Sequence, residues 1–179
     1  YVFASLEHRG VLVQHGPILR VVFGPRDPSY ISPILSAIQS DLCESGIDGV
    51  LSTHIQRDAL EKFSYVSPIG AAGVYLHAVA GDFQKEGPAR ELFKSMIREI
   101  SALAAAMGYP FEKDYVKINL EILSNLSADA TTSMQRDIME GKPSELDGLV
   151  MEPLRLAKKY SVSMPCYEEV AKVLCPLEF

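Results

Sequence analysis

Residues 130–150 read ATTSMQRDIMEGKPSELDGLV, and this stretch carries two helix signals joined by a turn. The first signal covers residues 132–140 and ends at Gly141, because glycine readily adopts the left-handed conformation that closes a helix. The second begins at Ser144, whose hydroxyl can cap free backbone amides. Two short helices are therefore predicted. Glu145 would lie in the first turn of the second helix, where the helix dipole favours an anion.

The predicted first helix separates polar and apolar residues. Ser133 and Asp137 lie four residues apart and share one face of the helix, while Met134 and Ile138 share an adjacent apolar face. Asp137 is interpreted as structural, capping or pairing with Arg136 or with a neighbouring helix.

The spacing of this stretch resembles the C-terminal domain of the ketopantoate reductase (2-dehydropantoate 2-reductase) family. That family carries a pattern close to T-S-M-x-x-D-x-x-x-G-x-x-[ST]-E-[IL]-D, which is present here from Thr132 to Asp147. The resemblance implies that Ser133 binds the substrate carboxylate and that Glu145 is the active-site carboxylate, near the cofactor ribose and the substrate. From the residues alone, Ser133 could simply start a helix and Glu145 could simply cap one.

A lysine earlier in the chain is the second candidate for chemistry. Lys62 is followed by Phe63 and by the uncharged run at residues 64–81. A buried lysine can act as a general acid, whereas a lysine whose stem lies along a helix end is only structural. The ketopantoate reductase family carries W-x-K-[FL] here, and in the family this lysine gives a proton to the substrate carbonyl. The resemblance therefore implies that Lys62 is catalytic, with Leu60 in place of the tryptophan.

Two positions depart from the family pattern. Val66 stands four residues after the lysine, where some family members have a substrate-binding asparagine, and Val150-Met151 stand where an Asn-Gly pair often follows. Both departures favour a reductase of a different 2-oxo acid or of an imine.

Composition limits the classes of partner. The chain has 179 residues, a net charge of −6 and scattered basic residues, and this argues against nucleic acid binding. Its three cysteines show no paired spacing, which indicates a reducing compartment. The resemblance to the ketopantoate reductase family implies a cytoplasmic protein. The uncharged run contains Pro68, Gly70 and His77 and is interpreted as a buried helix rather than a membrane span. No metal-ligand spacing occurs among the four histidines.

Short β-branched runs before residue 24 predict strands, and residues 47–52 are predicted as a short extended link. Helical periodicity dominates the remainder. It predicts a helix from Asp27 to Ser45, a helix from Pro88 to Met107 with an apolar stripe at Leu92, Met96, Ile100 and Leu103, and a helix from Ser144 to about Tyr160 with a kink at Pro153. The fold prediction is mainly α: a helical bundle of the type found in 6-phosphogluconate dehydrogenase C-terminal domains, with a short β lead-in. The predicted domains are residues 1–26, as the terminal strands of a nucleotide-binding domain, and residues 27–179, as a helical substrate-binding and dimerisation domain.

The predicted function is the C-terminal half of an NADPH-dependent 2-dehydropantoate 2-reductase of pantothenate biosynthesis. No strand–GxGxxG–helix unit occurs in the sequence. NADPH is therefore expected to bind mainly to a preceding N-terminal domain, and this chain alone is expected to be inactive. The predicted partners are a 2-oxo acid substrate, that N-terminal domain and a second copy of the protein in a homodimer. A non-catalytic helical dimerisation module is the alternative of a different class.

Overall fold

The computed structural model describes residues 1–27, 29–30 and 32–176. The chain divides into two compact units, with the boundary between Asp58 and Ala59. The first unit thus contains the predicted strands together with the helix and strand that follow them. The predicted domain boundary at residue 26 stays a prediction.

The first unit is built on a small sheet. Strand β1 (Val2–His8) pairs antiparallel with β2 (Val11–Phe23), and the turn between them uses Gly10 at a φ of 88°. Helix α1 (Pro33–Glu44) then leads to β3 (Asp48–Leu51), which pairs parallel with β2. Parallel neighbours require such a crossover. Residues 47–52, predicted only as an extended link, thus supply a third strand.

Helix α1 begins later than the predicted position near Asp27. Its N-cap, Ser32, has an extended backbone, and Pro33 occupies the first turn. A proline pushes the preceding residue out of the helical region, so the helix can start no earlier than Pro33.

Helices make up the second unit. Helix α2 (Ile55–Leu76) begins in the first unit and continues into the second. It is followed by α3 (Ala80–Gln84), α4 (Pro88–Ala106), α5 (Tyr115–Ser124), α6 (Ser133–Met139), a π-helical turn (Asp147–Met151), α7 (Glu152–Tyr160) and α8 (Pro165–Leu174). The predicted mainly α fold with a short β lead-in is confirmed.

Helix α4 runs through the core of the second unit and packs against α3, α5, α7 and α8. Its fully buried residues include Phe93, Met96, Ile97 and Ile100. Phe93 meets Phe83 of α3 and Tyr65 of α2 in edge-on ring contacts, each with centroids 6.0 Å apart. The predicted apolar stripe of this helix therefore forms the centre of the bundle.

Most of the uncharged run is interior, as predicted. Ser64 and residues 67–73 are buried in α2. The helix ends at Leu76, and His77 adopts a φ of 52° before α3 begins. In the part of the chain that the structure describes, no helix is long and apolar enough to cross a membrane.

A proline inside α2 leaves one carbonyl without its usual donor. Pro68 has no N–H, so it cannot bond to the carbonyl of Ser64 four residues earlier. Asn119 of α5, which is 1% exposed, donates from Nδ2 to this carbonyl at 3.0 Å and to Ser64 Oγ at 3.1 Å. A buried amide from another helix thus replaces the missing bond and fixes α5 against α2.

This replacement can be tested with Asn119→Ala. The substitution leaves the Ser64 carbonyl buried without this donor, and we expect a loss of about 1–3 kcal/mol in the free energy of unfolding. Pro68→Ala restores a backbone N–H at the right place, so it should recover about 1 kcal/mol in the Asn119→Ala background and much less in the wild type. Urea denaturation of the intact protein measures both. Equal effects of Pro68→Ala in the two backgrounds would contradict the coupling.

Candidate active site

Local hydrogen bonds define both ends of α6. At the start, Thr132 Oγ1 accepts from the Gln135 N–H at 3.2 Å, while Gln135 Oε1 accepts from the Thr132 N–H at 3.0 Å. This reciprocal capping box satisfies two amides that the helix itself cannot. Ser133 is the first residue of the helix and is exposed.

The end of α6 follows the sequence prediction. Gly141 has a φ of 66°, and its N–H donates to the Ile138 carbonyl at 3.1 Å. The Lys142 N–H donates to the Asp137 carbonyl at 2.8 Å. These two bonds are the Schellman arrangement, which needs a residue in the left-handed region at the position of Gly141.

Helix α6 rests on α2 at two glycines. A Cβ on Gly70 would lie 3.1 Å from Met134 Cε, and a Cβ on Gly73 would lie 2.7–2.8 Å from the side-chain amide of Gln135. That amide also donates from Nε2 to the Ala78 carbonyl at 2.8 Å. At Gly73 a side chain would collide with this hydrogen-bonded amide, so glycine is needed there for the placement of α6. At Gly70 the flexible end of Met134 would have to shift by only a few tenths of an ångström.

Glu145 lies just before the next helical segment and is exposed. Helical backbone begins at Leu146, two residues later than the predicted start at Ser144, and the Leu149 N–H donates to the Glu145 carbonyl at 2.9 Å. Glu145 therefore precedes the first turn rather than lying within it.

The turn that follows Glu145 is wider than an α-helix. In Asp147–Met151 the backbone is π-helical, and the Glu152 N–H donates to the Asp147 carbonyl five residues earlier. The sequence predicted a helix with a kink at Pro153, and the structure has a π-helical turn directly before this residue. The cause is steric, because a proline ring collides with the carbonyl four residues earlier.

The carbonyl four residues before Pro153 has a side-chain donor. Ser67 Oγ, on α2, donates to the Leu149 carbonyl at 2.6 Å, and the Tyr167 hydroxyl of α8 lies 2.5 Å from the same Oγ. Ser67 and Tyr167 are both fully buried. The π-helical turn is thus bound to α2 and α8 through one serine.

A carboxylate anchors the start of α8. Glu99 of α4 accepts from the Cys166 N–H at 2.8 Å and from the Tyr167 N–H at 3.1 Å. It therefore caps two amides that open α8 and benefits from the helix dipole. Burial, together with the nearby Glu99 carboxylate, raises the pKa of the Cys166 thiol to about 11, so this cysteine is not a reactive nucleophile.

Lys62 lies on an outer face of α2. It is exposed, although the uncharged run that follows it is buried. Lys62, Val66 and Gly70 succeed each other at intervals of four residues and form one strip along the helix. Val66 is 37% exposed on this strip. We call these three residues the α2 strip.

The far end of the α2 strip brings two of the predicted segments together. A Cβ on Gly70 would lie 3.8 Å from Thr132 Oγ1 and 4.0 Å from Leu149 Cδ1. The start of α6, which carries Ser133, and the turn that follows Glu145 therefore meet at Gly70. Lys62 lies eight residues earlier, about 12 Å along the helix axis.

An apolar cleft of about 200 Å³ opens elsewhere in the second unit. Helices α2, α4 and α7 supply its walls, which include Leu60, Phe63, Ile100, Leu103, Pro153 and Leu156. Gly148 of the π-helical turn also borders it. The cleft can hold an apolar group.

A surface ion cluster closes the π-helical turn. Arg155 of α7 bonds to Asp147, the last residue of the family pattern, and to Glu152 at 3.0 Å. The Arg155 bond lowers the pKa of the Asp147 carboxyl. Among the described residues no group of histidine, cysteine, aspartate or glutamate could hold a metal ion.

Several buried polar side chains around these segments carry no recognised signal in the sequence, among them Ser67, Tyr167, Asn119, Gln135 and Glu99. The sequence nevertheless contains a weak signal for Ser67. A serine directly before a proline in an uncharged helix is a polar residue in an apolar setting, and such a residue usually forms a hydrogen bond. Nothing local marks Tyr167, whose partner lies 100 residues away.

Comparisons with known proteins bear on the identity of the chain. The family described as "Ketopantoate reductase PanE/ApbA C terminal" matches residues 54–178. A 2-dehydropantoate 2-reductase of Aquifex aeolicus (strain VF5) is 26% identical over 158 residues, covering 86% of this chain and 51% of that protein. The chain spans about half the length of the curated relatives it matches.

Solved structures show the same fold. The crystal structure of 2-dehydropantoate 2-reductase from Geobacter metallireducens GS-15 gives a TM-score of 0.87 at 22% identity, over 99% of this chain and 58% of that one. The ternary structure of D-mandelate dehydrogenase with NADH and anilino(oxo)acetate gives 0.79 at 18% identity, over 96% and 56%. With the family match over most of its length, the chain belongs to the ketopantoate reductase family and carries its C-terminal domain.

Proposed function

We propose that this chain is the substrate-binding half of an NADPH-dependent 2-dehydropantoate 2-reductase that forms pantoate in pantothenate biosynthesis. The observation that carries the proposal is the meeting of the Ser133 and Glu145 segments at Gly70, on the α2 strip that begins with Lys62. The hydroxyl, the carboxylate and the ammonium group that the reaction needs are all on exposed residues. Membership of the family supports the same assignment.

The side chains divide the reaction into binding and proton transfer. Ser133 donates a hydrogen bond to the substrate carboxylate, which orients the 2-oxo group. The bound nicotinamide supplies the hydride that reduces C2. Lys62 gives a proton from its ammonium group to the carbonyl oxygen as the C=O bond becomes a C–OH, and the neutral amine regains a proton from water.

The cofactor fits this chain only in part. Glu145 is exposed at the start of a helical segment, where its carboxylate can accept from a ribose hydroxyl. The loop after β2 begins Gly24-Pro25-Arg26-Asp27 and lacks the glycine pattern that cradles phosphates. We therefore assign the phosphates of NADPH to a preceding N-terminal domain, and we expect this chain alone to be inactive.

The role of Lys62 is tested in the full-length enzyme. Lys62→Ala should lower kcat roughly 10²–10⁴-fold, the usual contribution of a general acid, with much less change in cofactor binding. Lys62→Arg should not restore turnover, because guanidinium keeps its proton near neutral pH. Lys117→Ala, at an exposed lysine of α5, is the matched control and should leave kcat unchanged. Normal turnover of Lys62→Ala would end the catalytic assignment and favour the non-catalytic dimerisation module.

A second candidate substrate follows from the α2 strip. Val66 is the residue between Lys62 and Gly70 on this strip, and it offers no hydrogen bond. A substrate with an apolar side chain suits a valine better than 2-dehydropantoate, which carries a hydroxyl. This favours a reductase of another 2-oxo acid that lacks the hydroxyl.

The two candidates differ in their selectivity for the hydroxyl group. A site built to bind a hydroxyl rejects the analogue that lacks it by about 10⁴–10⁵-fold, whereas an apolar site discriminates by only about 10²-fold. Ratios of kcat/KM for 2-dehydropantoate and 3,3-dimethyl-2-oxobutanoate therefore separate them. If the apolar substrate is the right one, Val66→Asn should shift the ratio toward 2-dehydropantoate. A wild-type preference above about 10³-fold for 2-dehydropantoate would reject the second candidate.

We propose that the full-length protein is a cytoplasmic homodimer. The three cysteines have no paired spacing in the sequence, which favours a reducing compartment. The sequence predicts a dimer surface from the uncharged run together with the alanine-rich end of residues 88–107. Within the uncharged run, residues 67–73 are buried in the chain and cannot contribute to such a surface. Ile122 and Leu126, which are 44% and 39% exposed at the end of α5, are apolar surface that remains.

Sedimentation equilibrium of the full-length protein tests the dimer. We expect twice the mass of one chain at micromolar concentration, and a protein that remains monomeric at high concentration would contradict the proposal.

A further inference from the structure

A line of buried hydrogen bonds ends at the turn that follows Glu145. The Ser67 hydroxyl has one proton, and the Leu149 carbonyl can only accept, so Ser67 donates to Leu149. The Tyr167 hydroxyl, 2.5 Å away, must then donate to Ser67 Oγ. The order is Tyr167 to Ser67 to Leu149, and we call these three residues the relay.

The relay reaches Glu145 through a single residue, Leu149. The Leu149 N–H donates to the Glu145 carbonyl at 2.9 Å, and the Leu149 carbonyl accepts from Ser67 at 2.6 Å. Both polar groups of Leu149 are therefore fixed, one to the backbone of Glu145 and the other to α2.

The opposite end of the relay is fixed as well. Glu99 of α4 accepts from the backbone N–H of Tyr167 at 3.1 Å, and Tyr167 itself is fully buried. Burial also raises the pKa of the Tyr167 phenol, so its proton stays in place throughout the neutral range. The two side chains of the relay are shielded from water and keep their protons, and hydrogen bonds in such surroundings are stronger than in solvent.

We infer that Ser67 and Tyr167 are positioning residues for Glu145, acting through the backbone of Leu149. This inference rests on the function proposed for Glu145 above. The π-helical turn spreads the backbone before Pro153, and the bond from Ser67 favours one placement of Leu149. Without this bond the turn relaxes, and Glu145 moves with it. A displacement of about 1 Å at a reacting site can cost up to about 10²-fold in rate.

Ser67→Ala and Tyr167→Phe test the inference in the full-length enzyme, assayed with the 2-oxo acid that gives the highest kcat/KM. Each variant should lower kcat about tenfold or more, while the KM for the 2-oxo acid changes by less than about threefold. Tyr167→Phe keeps the ring and its packing, so it serves if Ser67→Ala fails to fold. Gln84→Ala is the matched control, because Gln84 also donates to backbone carbonyls, that of Leu123 in α5 and that of Leu126 just after it. It should lower stability and leave kcat unchanged.

A double-mutant cycle with Glu145→Gln separates positioning from stability. If Ser67 acts through Glu145, adding Ser67→Ala to Glu145→Gln should lower kcat by less than about twofold further. Hydrogen exchange gives a readout independent of turnover. In Ser67→Ala the amides of residues 149–152 should exchange at least about tenfold faster than in the wild type, after correction for any change in the exchange rate of the amides of α4.

The two proposals fail in different ways. Normal kcat in both relay variants, with Glu145→Gln impaired, would overturn the positioning role alone. The positioning role would also be overturned if Ser67→Ala lowered kcat in the Glu145→Gln background by the same factor as in the wild type. Normal turnover of Glu145→Gln would remove the proposed role of Glu145, and the positioning role would fall with it.

Discussion

Two carbonyl oxygens that each lie four residues before a proline determine how the helices of the second unit are joined. Pro68 cannot bond to the Ser64 carbonyl, and Pro153 cannot bond to the Leu149 carbonyl. In both cases a buried side chain from another helix donates instead, at 3.0 Å and 2.6 Å. The apolar core supplies most of the burial but sets the register of neighbouring helices only loosely. A buried carbonyl needs a hydrogen-bond donor, so these two bonds fix the register of the helices that they join.

The ends of α6 could be predicted because the signals are local. The capping residue Thr132 and the closing glycine Gly141 act on backbone groups within three residues of themselves. The π-helical turn could not be predicted, since Pro153 alone indicates only a kink. The outcome depends on Ser67, which lies 82 residues from its partner Leu149. The parallel pairing of β2 and β3 was missed for the same reason, because a short extended segment does not reveal its neighbour.

In the candidate site, too, the sequence identifies individual residues, whereas the structure is needed to show which segments meet. The family pattern identifies Ser133 and Glu145, and the structure adds that their segments meet against one glycine of α2. Lys62 is harder to judge from sequence, because the uncharged run after it suggests burial although the lysine itself is exposed. The helical period explains this, since consecutive residues point in different directions and a buried stretch can follow an exposed position. The chemistry assigned to the three residues remains a prediction.

The pairing of Pro153 with Ser67 has a consequence for how relatives of this protein can diverge. A chain that replaces Pro153 regains an N–H at that position, and the Leu149 carbonyl then has a donor within its own helix. The hydroxyl at position 67 is then no longer required as a donor, and keeping it buried without that hydrogen bond destabilises the protein. Substitution at either position alone leaves a buried polar group poorly satisfied, whereas exchange of both does not. Natural variation at positions 67 and 153 should therefore be correlated, and intermediates with only one change should be rare.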